Sequence, residues 1–301
     1  MKNLKQYLTK RALIIQAIRN FFFQNNYLEV DTPIRIPAPA PEAHIDSFMS
    51  EEWFLQSSPE LAMKRLVSMG HERIFQICKC FRKDERGPRH LTELTMLEWY
   101  TASHSYKDLM EQCTLLIRHV AKETGLKDNL TYMGKTIDLA SPWQSLTVEE
   151  AFNRYTDTTL EKAVAENDFD EQMAFEIEPE LGRRVPTFIM DYPSSMAALS
   201  KLKPGDLGFA ERFELYIAGM ELANGFSELT DPVEQRRRFE AETIIRARYG
   251  KPATPMPEPF LRDLASMPEA AGIALGVDRL VMLFTDTNSI DDVVAFTPEA
   301  L

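Results

Sequence analysis

The 301-residue chain is 44% hydrophobic and 27% charged, which makes it an ordinary globular chain able to bury a sizeable core and excludes a fibrous or low-complexity one. Its formal net charge of −12 gives a surface that on average repels polyphosphate, so a nucleic-acid partner is disfavoured unless charge is local. Three cysteines are too few for a disulfide framework, and no run reaches the roughly 20 apolar residues that span a bilayer, so a reduced cytoplasmic enzyme without membrane contact is expected.

The amino terminus sets Lys2, Lys5, Lys10 and Arg11 around Ile14, Ile15, Ile18, Phe21 and Phe22. That is the 3.6-residue period of an amphipathic helix, not the unbroken apolar core of a signal peptide. Tyr27 to Val30 reads as a short strand stopped by Asp31-Thr32-Pro33, and Pro37, Pro39 and Pro41 hold the next segment extended. Pro59 to Met69 reads as a helix. Alternating runs over Ile74 to Phe81 and Leu94 to Tyr100 flank a polar loop and predict an antiparallel hairpin with a long connection. Helices are expected over 105–124 and 146–175, with the acidic stretch from Glu161 to Glu178 on the surface. Thr187 to Asp191, Phe213 to Ala218 and Met220 to Glu228 read as strands and Pro232 to Arg248 as a helix. Pro252 to Pro259 reads as a loop, and Asp278 to Thr285 as a closing helix. Strands that meet through hairpins, with helices at the ends, predict an α+β fold on an antiparallel sheet.

Three segments concentrate the chemistry. FRKDERGPRHLTELTMLEWY, Phe81 to Tyr100, puts permanent cations in a loop and carboxylates in apolar strands. Arg82 can grip a phosphate or carboxylate bidentately, and Arg89 and His90 lie where they reach outer phosphates. Leu94, Met96, Glu98 and Tyr100 share one strand face, so Glu98 is a carboxylate on a surface otherwise built for packing. A plain surface hairpin is the alternative. In FELYIAGMELANGFSEL, Phe213 to Leu229, a two-residue turn at Ala218-Gly219 sets Glu221 opposite Tyr216 and diagonal to Glu214. Two carboxylates on one face suit Mg²⁺ carried by a nucleotide; a solvated acidic face is the alternative. Asn224 and Glu228 fall on the other face by a strict period of two, so a bulge near Gly225 is needed to bring all of them into one pocket. AAGIALGVDRLVML, Ala270 to Leu283, brings small residues and then Arg279 to a strand-to-helix junction, where a guanidinium can stack on a base. Cys78 and Cys80, lacking a second pair, read as structural thiols and not as zinc ligands.

Together these segments resemble the motifs of class II aminoacyl-tRNA synthetases, and over nearly the whole chain their wording is similar to the lysyl-tRNA synthetase branch. Tyr27 to Pro33 resembles motif 1, a dimer-interface element in that family, Phe81 to Tyr100 resembles motif 2, and Gly276 to Arg279 resembles motif 3. The resemblance implies an antiparallel class II sheet flanked by helices, ATP and Mg²⁺, and a homodimer through motif 1. It implies catalytic roles for Arg82 at the α-phosphate and substrate carboxylate and for Arg279 at the adenine and γ-phosphate. Arg89 and His90 would meet the outer phosphates, Asp84 and Leu94 the adenine, and Glu214 and Glu221 the magnesium. Glu60 in Ser58-Pro59-Glu60-Leu61 would, with Glu98, receive the backbone-side amine of a lysine-like substrate. Tyr100 and Glu228 would receive its ε-ammonium and Asn224 its carboxylate.

Bacterial lysyl-tRNA synthetases place an oligonucleotide-binding barrel before motif 1, which here begins within about 30 residues of Met1, far short of the roughly 100 a barrel needs. A single catalytic domain over 1–301, without an anticodon-binding domain, is therefore expected. The resemblance narrows to the paralogues that ligate (R)-β-lysine or lysine to a lysine side chain of translation elongation factor P. Ala274 stands where the tRNA enzyme would carry glycine, and its methyl group reshapes space near the substrate amine. Two positions depart from the family pattern: Asp84 replaces glutamate, and Leu94 replaces a phenylalanine that stacks on adenine. A minimal enzyme charging an RNA and a non-catalytic nucleotide-binding paralogue remain as alternative readings.

Overall fold

The computed structural model describes residues 3–301, so Lys2 of the expected first helix lies outside the described residues. The chain begins with α1 (Leu4–Gln24), β1 (Leu28–Glu29), β2 (Arg35–Ile36), β3 (Met49–Ser50), β4 (Trp53–Leu55) and α2 (Glu60–Ser68). The expected motif 2 hairpin is β5 (Arg73–Phe81) and β6 (Glu93–Ala102), followed by α3 (Tyr106–Glu123), β7 (Asn129–Tyr132), β8 (Lys135–Asp138) and β9 (Gln144–Thr147). Short helices α4 (Val148–Tyr155), α5 (Leu160–Glu166) and α6 (Phe169–Gln172) precede β10 (Thr187–Pro193), β11 (Phe209–Ile217) and β12 (Met220–Ser227). The last elements are α7 (Pro232–Arg248), α8 (Glu258–Leu264), β13 (Ala270–Gly276) and α9 (Val277–Thr285).

The large sheet runs β1-β5-β6-β13-β12-β11-β10-β9. Its outer pairs are parallel and its six central strands antiparallel, the α+β arrangement read from the sequence. The two-residue period gives this sheet two unlike faces. Trp99, Leu97, Ile273, Leu275, Phe213 and Leu215 face α1, α3 and α9 in the largest core, where Phe22 stacks on Phe75 at 4.5 Å between ring centroids. On the opposite face Gln76, Glu98, Ala274, Asn224 and Glu214 form one row across five neighbouring strands. Two smaller cores wall that polar face, one from α2, α8 and Phe239, the other from α4, α5 and the segment through Ile177.

Three sequence expectations need correction. The helix expected over 146–175 is broken because Thr147 and Thr159 each cap a new short helix, accepting the amides of Glu150 and Lys162. The acidic stretch from Glu161 to Glu178 is not a surface segment throughout. Ala163 and, at steps of four, Phe169, Met173 and Ile177 are buried beneath the charges and close one wall of the polar face. The loop expected to run to Pro259 stops earlier, since Pro259 sits in the first turn of α8, where its missing N–H costs nothing.

Candidate active site

The polar face of the sheet floors a cavity of about 1030 Å³. Its shape depends on the β11–β12 hairpin. Ala218 and Gly219 both adopt positive φ, 55° and 70°, the two-residue turn the sequence predicted. The predicted bulge exists, but at Leu222 and not near Gly225: Tyr216 pairs with Glu221 while Leu215 pairs with Ala223. Leu222 and Ala223 both turn into the core, so the extra residue returns Asn224 to the same face as Glu221 and Glu214.

One end of the cavity gathers buried carboxylates. Glu98 accepts hydrogen bonds from Ser58 Oγ at 2.6 Å and from the Tyr100 hydroxyl at 2.9 Å, and Ser58 Oγ also accepts the Glu60 amide at 3.0 Å. Glu228 lies beneath, 2% exposed, with Lys64 Nζ 2.6 Å from Oε2 and no hydrogen-bond partner at Oε1. Lys64 also pairs with Glu60 one helical turn earlier. Burial, then the nearby Glu60 charge, pushes Glu98 up to about 7, while burial lifts Glu228 to about 8 against the pull of Lys64. Gly272 is required here, because a Cβ at that position would overlap the Tyr100 ring and Glu228 Oε1.

The other end pairs carboxylates with arginines. Arg212 Nη2 donates to Glu214 at 2.7 Å and its Nε donates to Asn224 Oδ1 at 3.1 Å, which leaves the Asn224 amide hydrogens for another acceptor. Tyr216 donates to Glu214 at 2.7 Å. Arg279 donates from Nη1 to the Glu221 carboxylate at 3.1 Å and to its carbonyl at 2.8 Å, and from Nη2 to His90 Nε2 at 2.6 Å. Burial and the Arg279 charge lower the His90 pKa, so His90 is the acceptor. Arg89 reaches across to the Gly219 carbonyl at 3.0 Å. Glu178, missed by the sequence reading, sits beside this group. Burial and the charges of Glu221 and Glu214 raise it to about 7. Arg279 is aimed by its neighbour: buried Asp278 bonds Arg11 of α1 at 2.6 Å and accepts the Thr95 amide at 2.7 Å, fixing the strand-to-helix junction.

Most residues singled out from sequence line this one cavity: Ser58, Glu60, Arg82, Arg89, His90, Leu94, Glu98, Tyr100, Glu214, Glu221, Asn224, Ala274 and Arg279. Glu228 lies just under its floor. Asp84 does not fit its expected place: it is exposed, with a positive φ of 65°, and the neighbouring Glu85 lines the cavity instead, 3.8 Å from Arg82. Sequence reasoning also missed Lys64 and Arg212. Each had a spacing signal, Lys64 four residues after Glu60 on a helix and Arg212 two before Glu214 on a strand.

An antiparallel sheet holding a large cavity on one face, with arginines at one end and carboxylates at the other, defines a class II synthetase-type core. The chain belongs to that family: the model for class II tRNA synthetases (D, K and N) matches residues 1–300. It is 39% identical to the elongation factor P (R)-β-lysine ligase of Vibrio atlanticus, over 98% of this chain and 95% of that protein. It is 37% identical to the ligase of the same name from Erwinia tasmaniensis, over 96% of this chain and 94% of that protein. It is also 38% identical to the lysine–tRNA ligase of Moorella thermoacetica, where the match covers 97% of this chain but 65% of that protein.

Proposed function

We propose that this chain is an ATP-dependent ligase that activates lysine or (R)-β-lysine as an aminoacyl adenylate and transfers it to a lysine side chain of elongation factor P. One observation carries this: a single cavity holds Glu60 and Glu98, with Glu228 just beneath its floor, as carboxylates suited to a diamine and, along the same strands, an arginine set suited to a triphosphate. A substrate carboxylate oxygen attacks the α-phosphorus in line and pyrophosphate leaves. Arg82, whose Nε is buried without a partner, stabilises the charge on the transferred group. The neutral acceptor amine then attacks the acyl carbon, the acyl–phosphate C–O bond breaks, and AMP departs with the electron pair while the amine loses a proton.

Arg89, His90 and Arg279 bind the outer phosphates, Glu85 in place of Asp84 faces the adenine with Leu94, and Asn224 holds the substrate carboxylate. Glu60 and Glu98 take the backbone-side amine, and Tyr100 and Glu228 the side-chain ammonium. Glu214 and Glu221 offer hard oxygen donors to Mg²⁺ bound with the nucleotide, which would neutralise phosphate charge. Among the described residues no group of three His, Cys, Asp or Glu encloses a metal, so phosphate oxygens would complete its shell. Exposed Leu28, Ile34, Met49 and Trp53 near motif 1 support a homodimer through that face. Among the described residues no helix is long and apolar enough to cross a membrane, and an elongation-factor acceptor puts the work in the cytoplasm.

The test is amino-acid-dependent ATP–pyrophosphate exchange with both amino acids, then intact-mass analysis of elongation factor P after incubation with the active mixture. A mass gain of one lysyl or β-lysyl group on one lysine supports the ligase. Acylated tRNA without modified protein favours the RNA-charging alternative, and no exchange with either amino acid removes the adenylate chemistry.

A further inference from the structure

Lys64 is 1% exposed on α2, and its ammonium lies between Glu60 and Glu228, 5.0 Å from the centre of the Phe226 ring. A buried ammonium carries a large desolvation cost, and replacing such ion pairs by apolar residues is often neutral for stability. Burial alone would lower the Lys64 pKa, but Glu228 and Glu60 overcome it and raise the value, so the residue stays charged. Once all are ionised, Glu60, Glu98 and Glu228 carry three negative charges and Lys64 returns one, leaving −2 around a pocket in which Glu228 Oε1 has no hydrogen-bond partner.

This builds on the diamino-acid reading above. We propose that Lys64 is a positioning residue that holds Glu60 and Glu228 in place and, with the three carboxylates ionised, sets the pocket at a net −2, matched to an amino acid carrying two ammonium groups and unfavourable to one carrying a single ammonium. The charged and titratable groups facing Lys64 are Glu60 on its own helix, Glu98 and Tyr100 on β6 and Glu228 just past the end of β12, with Glu42 and Arg82 beyond Glu60. Without the lysine Glu98 and Glu228 hold their protons to higher pH still, which removes the charge that a substrate ammonium needs.

The experiment compares wild type, Lys64→Met and the double variant Lys64→Met/Glu228→Gln in ATP–pyrophosphate exchange with lysine, (R)-β-lysine and the monoamine norleucine, between pH 7 and 9. Lys64→Met should raise the KM for both diamines by about tenfold or more at pH 7, change kcat less, and lose much of that deficit by pH 9 as the carboxylates ionise. The double variant also loses the carboxylate assigned to the side-chain ammonium, so it should restore none of the diamine affinity, and its KM should vary less with pH than that of Lys64→Met. The KM for ATP, read in the same assays, should stay within about twofold. An unchanged or lowered diamine KM in Lys64→Met overturns the proposal, the lowered value meaning that Lys64 occupies the substrate's own place. A pH-independent rise accompanied by weaker ATP binding also overturns it, since that is what a merely structural lysine gives. Wild-type protein inactive with both diamines brings down the functional reading and this inference together, whereas an active wild type with an unaltered Lys64→Met brings down the inference alone.

Discussion

The two ends of the cavity use the same residue, glutamate, against different cations. At the amine end Glu60 and Glu228 share Lys64, a side chain sealed from water. At the phosphate end Glu214 and Glu221 are paired with Arg212 and Arg279, whose side chains remain 19% and 20% exposed. A sealed pair cannot change partners without baring a charge in a dry site, whereas Arg279 can trade Glu221 and His90 for phosphate oxygens while staying in contact with water. What a carboxylate does here is therefore decided by its counterion. A fixed lysine makes a trap for added ammonium, and an exchangeable arginine makes a place where anions and their metal can enter.

The largest expected effect breaks the phosphate end alone. Arg279→Ala should slow ATP–pyrophosphate exchange by about 10²–10³-fold with every amino acid tested, because it removes a guanidinium aimed at developing phosphate charge. Exchange rates at saturating amino acid check this, and a loss below about tenfold would leave Arg279 a structural tie between Glu221 and His90.

The amine end should answer differently. Glu98→Gln should raise the amino-acid KM by about 10–100-fold with the ATP KM within about twofold, since it removes a charge that touches only the diamine. The same end gives a pH signature. Burial and Glu60 put Glu98 at about 7, and burial puts Glu228 at about 8. Below those values both are protonated and cannot pair with ammonium, so wild-type amino-acid affinity should improve from pH 6 to 8 as they ionise, and Glu98→Gln should displace that rise. An amino-acid KM flat across this range would show that neither carboxylate titrates in the substrate's path.

How far these two ends were legible in the sequence depended on whether a local signal marked them. The β11–β12 hairpin was readable because Ala218-Gly219 separates two alternating runs, and the β5–β6 hairpin because Ile74 to Phe81 and Leu94 to Tyr100 alternate. The bulge was foreseen as a necessity but misplaced. Glycine suggested position 225, yet Gly225 sits in regular pairing where a Cβ would press on Phe213 and Ile273, and the extra residue is the apolar Leu222, which has no compositional mark. The strands β7, β8 and β9 were unread because four residues are too few for alternation to stand out. Lys64 was overlooked because a lysine on an amphipathic helix reads as solvated, and its burial arises from long-range packing of α2 on β6 and β12.

A smaller effect sharpens the steric side of the amine end. Gly272→Ala drives a methyl group into the Tyr100 ring and Glu228 Oε1, so about 1–3 kcal/mol of stability should be lost as the neighbours shift. Thermal unfolding should show the loss, and the amino-acid KM should rise more than the ATP KM. Equal changes in both would mean that the strain spreads along β13 to the phosphate end.

The smallest effect separates two adjacent acids in the motif 2 loop. Family wording puts the adenine-facing acid at Asp84, but its positive φ turns that residue out to solvent and leaves Glu85 in the cavity near Arg82. One residue along a loop, unlike one along a strand, reverses a side chain without disturbing any pairing, so the exchange costs the fold little. Glu85→Gln should raise the ATP KM several-fold, on the order of 1 kcal/mol for one charged hydrogen bond, while Asp84→Asn should leave it unchanged within error. The opposite ranking in a nucleotide titration would restore Asp84 as the adenine contact and show that the loop rearranges when nucleotide binds.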